Sequence, residues 1–322
     1  MRAQRRAARR PIGKLNPRQD HARLIALDWG TSSARLYVLG SHGDVVGERA
    51  APLGVQRITD GRFGEALATL CAGIADANVP QIACGMIGSR QGWVEAPYRD
   101  CPADFDAIAS SLTKVKGTNL TIIPGLICRA ADGTPDVMRG EETQVLGALS
   151  QDAARRQVFV LPGTHSKWVV AGARGIERFA TFVSGELFAV LREHSILGRL
   201  ATEGCDEDAF DEGVRHSLRE TAAPTHDLFS ARTRALTDEL ASGSIADYLS
   251  GLLIGAEAHA GDRWLDRQAM KGVAVTLIGE PALVERYRKA LAIAGIGAIP
   301  GPSAAAARGM WRIAQHAQMV PE

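Results

Sequence analysis

The sequence predicts an α/β protein built from two related domains, and three observations carry that reading. At 322 residues the chain is long enough for two cores of ordinary size. Short apolar strands alternate with segments of helical period. A strand–turn–strand–turn–strand pattern is also written twice, as "LIALDWGTSSARLYVLGSHGDVVGERA" from Leu24 to Ala50 and as "VFVLPGTHSKWVVAGARGIERFA" from Val158 to Ala180. The two turn dipeptides, Gly30-Thr31 and Gly163-Thr164, are 133 positions apart. That spacing is too long for a solenoid and suits two domains that each open with an antiparallel hairpin.

The elements follow in order. The first 22 residues, "MRAQRRAARRPIGKLNPRQDHA", are basic and lack the apolar stretch of a secretory signal. They are read as a disordered tail outside the fold. In the first repeat, Arg23 to Leu27 is a strand ending on Asp28, "WGTSS" is a tight turn, Ala34 to Leu39 returns, and Val45 to Arg49 follows the turn "GSHGD". In the second, strands at Val158 to Leu161, Lys167 to Ala171 and Ile176 to Phe182 flank the turns "PGTHS" and "GARG". Between the repeats, "RFGEALATLCAGIADA" has helical spacing, and "QIACGMIG" and "TNLTIIPG" read as strands. "TQVLGALSQDAARR" reads as a helix, opened by the acidic residues of "MRGEE", which the helix dipole favours. After the second repeat come three helices, "GELFAVLREHSILGRL", "DEDAFDEGVRHSLRE" and "SIADYLSGLLIGAEAHAGDRWL". The strand "GVAVTLIGE" then ends at Gly279, Pro281 opens the helix "PALVERYRKALAIAG", and "SAAAARGMWRIAQHA" is the last helix. The expected domains are 23–150 and 151–302, with 303–322 a helix packing back on the first.

Composition excludes several function classes. A hydrophobic fraction of 46%, a charged fraction of 23% and a net charge of +1 create no broad field for nucleic acid or a membrane surface. No apolar run reaches the roughly 20 residues of a membrane helix. The five cysteines are odd in number and form no CxxC pair, which argues against a disulfide framework or zinc site and for a reducing cytoplasm. The eight histidines form no HExxH motif. There is no P-loop, "AGIGAIPG" lacks the dinucleotide-binding spacing, and "SLTK" matches SxxK without its partner motifs.

The repeated turns carry the chemistry. A turn rich in Gly, Thr and Ser presents several N–H groups and hydroxyls to one point, a nest that suits phosphate. Two such nests facing each other would hold one nucleotide between two domains. The candidate positions are Gly30, Thr31 and Ser32 in the first turn, and Gly163, Thr164, His165 and Ser166 in the second. Lys167 offers a point charge, and Arg35 on the returning strand is within reach of an anion. Asp28, at a strand end beside the first nest, is placed to hold Mg²⁺, through water. The segment "GMIGSRQGWVEAPY" combines glycines with polar and aromatic side chains, as a small-molecule pocket would, with Ser89, Arg90, Trp93 and Glu95 as its candidates. "FVSGELF" adds Ser184 and Glu186 as candidate substrate contacts.

These motifs resemble the sugar-kinase, hsp70 and actin superfamily. "LDWGTSSAR" resembles its first phosphate loop, "LPGTHSKW" its second, and "VTLIGEPALVERYRKAL" its adenosine element, which adds Gly279 to the nucleotide contacts. Taken in order, "DWGTSSAR", "CGMIGSRQGWVEAPY", "MRGEETQVLGAL", "LPGTHSKW", "FVSGELF" and "GLLIGAE" resemble the 2-dehydro-3-deoxygalactonokinase family. The resemblance implies two domains of the actin-like ATPase (ribonuclease H-like) fold around a nucleotide cleft, with ATP as co-substrate and Mg²⁺ bound. It implies transfer of the γ-phosphate to O6 of 2-dehydro-3-deoxy-D-galactonate, within galactonate breakdown. It also implies a catalytic carboxylate at the start of a helix before the second phosphate loop, where Glu141 and Glu142 stand. Their side chains leave a helix about 100° apart, so only one is expected to act. A phosphohydrolase of the same superfamily, or a non-catalytic sugar-acid or nucleotide sensor, would share this fold. The acting glutamate, the epimer preference and the oligomeric state are open at this stage.

Overall fold

The first repeat folds as β1 (Leu24–Trp29), β2 (Ala34–Leu39) and β3 (Val45–Ala51), an antiparallel meander in this computed structural model. The structure describes residues 22–74, 78–150, 155–219 and 223–321; the basic segment read as a tail lies outside them, Ala22 excepted. Leu24 to Leu27 are all buried, as in a strand covered on both faces. The chain continues through α1 (Phe63–Cys71), β4 (Gln81–Gly85), β5 (Tyr98–Asp100), α2 (Phe105–Ala109), β6 (Thr113–Lys114), β7 (Leu120–Ile122), β8 (Gly125–Arg129), β9 (Pro135–Met138) and α3 (Glu141–Ala148). The larger sheet runs β3-β2-β1-β4-β7-β6, with β4 parallel to both β1 and β7. Its core gathers Trp29, Leu36, Phe63, Leu70 and Ile87. A separate small sheet, β5-β8-β9, was not foreseen, because strands this short show no readable period.

The second repeat folds as β10 (Gln157–Leu161), β11 (Ser166–Gly172) and β12 (Gly175–Phe182). After it come α4 (Ser184–His194), α5 (Glu207–Ser217), α6 (Pro224–Asp227), α7 (Ser230–Leu236), α8 (Ile245–Arg267), β13 (Val275–Leu277), α9 (Pro281–Ile293) and β14 (Ala298–Pro300). This sheet runs β12-β11-β10-β13-β14, with β10 antiparallel to β11 and parallel to β13, and β13 parallel to β14. That is the order and sense of β3-β2-β1-β4-β7, so the duplication in the sequence is a duplication of topology. Every residue of β11 is buried. Its core sets Trp168, Phe210 and Tyr287 among valines and leucines. The close packing of α5 on α8 depends on glycine: a Cβ at Gly251 would lie 2.1 Å from the Phe210 carbonyl oxygen.

The last helix is α10 (Ala305–His316). Two units result, one taking the chain up to 151 with 173–177 and the segment from 303, the other taking 152–172 and 178–302. Helix α10 thus falls in the unit that holds α3, and these two helices meet through glycine. A Cβ at Gly147 would lie 1.9 Å from the Ala305 carbonyl oxygen, and one at Gly309 equally close to that of Thr143. Arg312 donates to the carbonyls of Leu146 (2.6 Å) and Leu149 (2.9 Å) at the end of α3, where a helix leaves acceptors without partners. Among the described residues, no helix is long and apolar enough to cross a membrane.

Candidate active site

In the first unit the carboxylates converge. Asp28, one residue before the end of β1, pairs in register with Arg35 on β2 and with Cys84 on β4. The Cys84 thiol lies 4.0 Å from its Oδ1. Burial raises the Asp28 carboxyl above the ordinary carboxylate range; Arg35 opposes the shift, and the charge of Glu141 adds to it. Glu141 is therefore electrostatically close to Asp28. It occupies the first position of α3, partly exposed, and accepts a hydrogen bond from the Arg139 amide at 3.0 Å. Glu142 is fully buried, and its two oxygens accept from the Gly140 amide (2.7 Å) and the Thr143 hydroxyl (2.9 Å). Burial first, and then the charge of Glu141, push its pKa up to about 7. One glutamate of the pair therefore meets solvent and the other does not.

The first turn is braced from behind. The amides of Val55 and Gln56 donate to the carbonyls of Gly30 (3.0 Å) and Thr31 (3.1 Å), and a Cβ at Gly54 would lie 2.2 Å from the Ser32 carbonyl carbon. Thr31 and Ser32 are left exposed, while Arg35 pairs with Glu48 at 3.4 Å.

The segment expected to hold a sugar acid divides. Ser89 is buried and its hydroxyl has no partner among the described residues. Arg90 has 84% of its side chain exposed, 3.5 Å from Glu95, and so does not point into a pocket. Trp93 stacks on Phe63 at 6.0 Å and takes part in core packing. The arginine in this neighbourhood is instead Arg139, which sequence reasoning passed over because "MRGEE" was read only for its glutamates. Its guanidinium lies 4.4 Å over the Tyr98 ring and donates to the Ala96 carbonyl at 2.8 Å. Its Nε and Nη1 are buried without an acceptor among the described residues. A Cβ at Gly88, next to Ser89, would lie 3.0 Å from Nη1.

In the second unit, the turn between β10 and β11 opens onto a pocket of about 420 Å³, whose walls include Gly163, Thr164, Ser184, Gly185, Glu280 and Tyr287. Helix α4 starts hard against the turn: the Glu186 amide donates to the Thr164 carbonyl at 2.9 Å, and a Cβ at Gly185 would lie 2.2 Å from the Gly163 oxygen. Ser184, expected beside the sugar acid, thus shares a pocket with the turn expected to hold phosphate. His165 and Glu186 contact each other at 2.5 Å, both about half exposed. Ser166 and Lys167 are interior; Ser166 hydrogen-bonds the Tyr287 hydroxyl at 2.7 Å. Gly279 is exposed at the end of β13, where a Cβ would lie 3.3 Å from the Pro162 oxygen, beside the turn. Glu280 caps α9 by accepting from the Leu283 amide at 3.0 Å. Tyr287 and Glu280 went unnoticed in the sequence, since polar residues at helical spacing give no sign that they face a pocket.

Residues 28–313, from Asp28 into α10, match the family described as 2-keto-3-deoxy-galactonokinase. The chain belongs to that family. A probable 2-dehydro-3-deoxygalactonokinase from Rhizobium meliloti is 38% identical over 311 residues, covering 89% of this chain and 97% of that protein. The 2-dehydro-3-deoxygalactonokinase of Escherichia coli is 37% identical over 287 residues, covering 88% and 94%. A galactonokinase-family crystal structure from Sinorhizobium meliloti superposes with a TM-score of 0.79 at 36% identity, covering 91% of this chain and 98% of that one. The two related α/β units are those of the actin-like ATPase fold, as the family resemblance implied.

Proposed function

We propose that the protein is a 2-dehydro-3-deoxygalactonokinase that transfers the γ-phosphate of ATP to O6 of 2-dehydro-3-deoxy-D-galactonate, giving the 6-phosphate. Beside family membership, one observation carries the reading: Glu141 opens α3 partly exposed, accepting from the Arg139 amide, and its charge adds to the raised carboxyl of Asp28 at the end of β1. Phosphoryl transfer asks little of a protein beyond positioning, charge stabilisation and a carboxylate to orient the attacking hydroxyl. Glu141 is that carboxylate, because it reaches solvent where Glu142 is sealed. It accepts the O6 proton as the oxygen attacks phosphorus.

Asp28 is the residue to hold Mg²⁺. Its partly buried carboxylate, whose charge desolvation and Glu141 both disfavour, is a hard-oxygen ligand that a divalent cation would relieve. No group of three or more His, Cys, Asp or Glu suited to a metal occurs among the described residues, so such an ion would keep most of its waters, as Mg²⁺ does. When bound, it neutralises charge on the transferring phosphoryl group. Thr31 and Ser32 on one hairpin, and Gly163 and Thr164 on the other, are the phosphate contacts. The unsatisfied donors of Ser89 and Arg139 favour an anionic acceptor, and Arg139 takes the part first given to Arg90. None of the five cysteines is in a disulfide, which suits a cytoplasmic enzyme.

A coupled ADP-release assay over a panel of 2-keto-3-deoxy sugar acids and neutral hexoses tests this. Clear turnover is expected on the galactonate-derived acid and negligible turnover on galactose, since unpaired buried donors penalise a neutral acceptor by about 1–3 kcal/mol each. Comparable kcat/KM for galactose would overturn the substrate assignment. Phosphate release without any acceptor would indicate a hydrolase instead.

A further inference from the structure

We propose that Glu257 is a positioning residue for the nucleotide: it ties the second phosphate turn to the polar wall of the neighbouring pocket without touching the nucleotide itself. The inference rests on reading that pocket, bounded by Gly163, Ser184 and Tyr287, as the nucleotide's. Glu257 lies in the second half of α8 and is 3% exposed. A carboxylate buried this deeply is costly unless its oxygens are satisfied, and here they are. The Trp168 indole N–H donates to Oε1 at 2.9 Å, and the Tyr287 hydroxyl donates to Oε2 at 2.8 Å. The Ser166 hydroxyl reaches this carboxylate through Tyr287, whose hydroxyl lies 2.7 Å from it.

The identity of these partners gives the carboxylate its role. Trp168 and Tyr287 both donate, and an ionised carboxylate only accepts, so one group orients both and, through Tyr287, Ser166. Ser184 and Tyr287 line the pocket, from the start of α4 and from α9. Ser166 and Trp168 stand at the start of β11, directly after the turn that carries Gly163 and Thr164. With the Tyr287 proton given to Glu257, the Ser166 hydroxyl is the donor in its 2.7 Å bond to Tyr287. Glu257 thus joins β11 and α9 through one side chain on α8, fixing where the turn's amides sit relative to the pocket wall. An apolar residue would avoid the cost of burying charge but would leave the Trp168 and Tyr287 donors without their acceptor.

The test combines direct binding of ADP to the full chain, steady-state kinetics with each substrate varied, and hydrogen exchange with and without ADP. Glu257→Gln keeps the size of the side chain but replaces one acceptor with a donor. We expect it to remain folded by circular dichroism and to raise the ADP Kd and the ATP KM by about tenfold or more, with the sugar-acid KM within about twofold of wild type. A merely structural role would instead lower kcat through loss of active protein and leave both KM values unchanged, and that result overturns the proposal, as does an unchanged ADP Kd. Should Glu257→Gln not fold, Tyr287→Phe, which removes the hydroxyl joining Ser166 to Glu257, must show the same selective rise in ATP KM; a wild-type value there also overturns it. Hydrogen exchange separates the underlying reading. If wild type binds ADP without protecting residues 163–166 and 184–187, the pocket assignment itself is wrong.

Discussion

Glu142 keeps both of its oxygens inside the first unit, on the Gly140 amide and the Thr143 hydroxyl, whereas Glu141 is partly exposed at the start of α3. The two should therefore respond differently to the same substitution. Glu141→Gln is expected to lower kcat by about 10²–10⁴-fold, the usual cost of losing a general base, with ADP affinity nearly unchanged. Glu142→Gln should keep most of its turnover; equal losses in both variants would remove the assignment. Glu142 has a second, independent signature in stability. Burial raises its folded pKa from 4.5 to about 7, so the native state holds this proton more tightly than the unfolded chain does. The stabilising contribution is then fully present below about pH 4.5 and is lost as pH rises through about 7, a swing of up to roughly 3 kcal/mol. Asp28 and Glu257 are raised in the same direction, so the informative quantity is the difference between wild type and Glu142→Gln in urea melts across this range. That difference should change with pH over this window, and a pH-independent one would show that Glu142 is ionised in the native state as it is unfolded.

At the scale of elements, the hairpins were legible because they combine period-two apolar runs with glycine turns, and each strand lies within two residues of its expected bounds. The long helices were legible from their period, whereas the short α2, α6 and α7 were not foreseen, and α3 begins at Glu141 itself and so takes in both glutamates. The small β5-β8-β9 sheet and the role of Arg139 were not legible. Each depends on contacts between distant segments, such as Arg139 lying on Tyr98, and no local pattern encodes them. The second turn's candidates were grouped by adjacency alone, but β11 begins at Ser166 and turns Ser166 and Lys167 inward, while Thr164 remains at the pocket. The same geometry makes a prediction for α4. A methyl at Gly185 would meet the Gly163 carbonyl at 2.2 Å, a backbone group with no flexible end to give way. Gly185→Ala should push helix and turn apart, costing about 1–3 kcal/mol of stability as overpacking does, and should raise the ATP KM more than the sugar-acid KM. Unaltered kinetics for both substrates would show that the turn tolerates the shift and that its position is not critical for binding.

At the scale of the whole molecule, the sheet order is duplicated but the ends of the chain are not: the segment from 303 joins the unit in which the chain begins. Helix α10 carries none of the proposed site residues, yet α3, which bears Glu141, packs directly on it. Gly147 and Gly309 let the two backbones approach to a distance that excludes any side chain, and Arg312 donates to two carbonyls at the end of α3. The position of Glu141 thus depends on a helix more than 160 residues away in sequence, the separation that the Arg312 bonds span. Gly309→Ala places a methyl 1.9 Å from the Thr143 oxygen, so α3 must shift or α10 must tilt. The expected result is a lower Tm together with a fall in kcat, at near-normal ATP KM, since the second unit's pocket is untouched. Arg308→Ala, at an exposed position on the same helix, serves as the control and should match wild type in both measurements. A lower Tm with kcat unchanged in Gly309→Ala would mean that α10 supports the fold without setting the catalytic carboxylate. A fall in kcat matched by Arg308→Ala would mean that the loss does not arise at the α3–α10 contact.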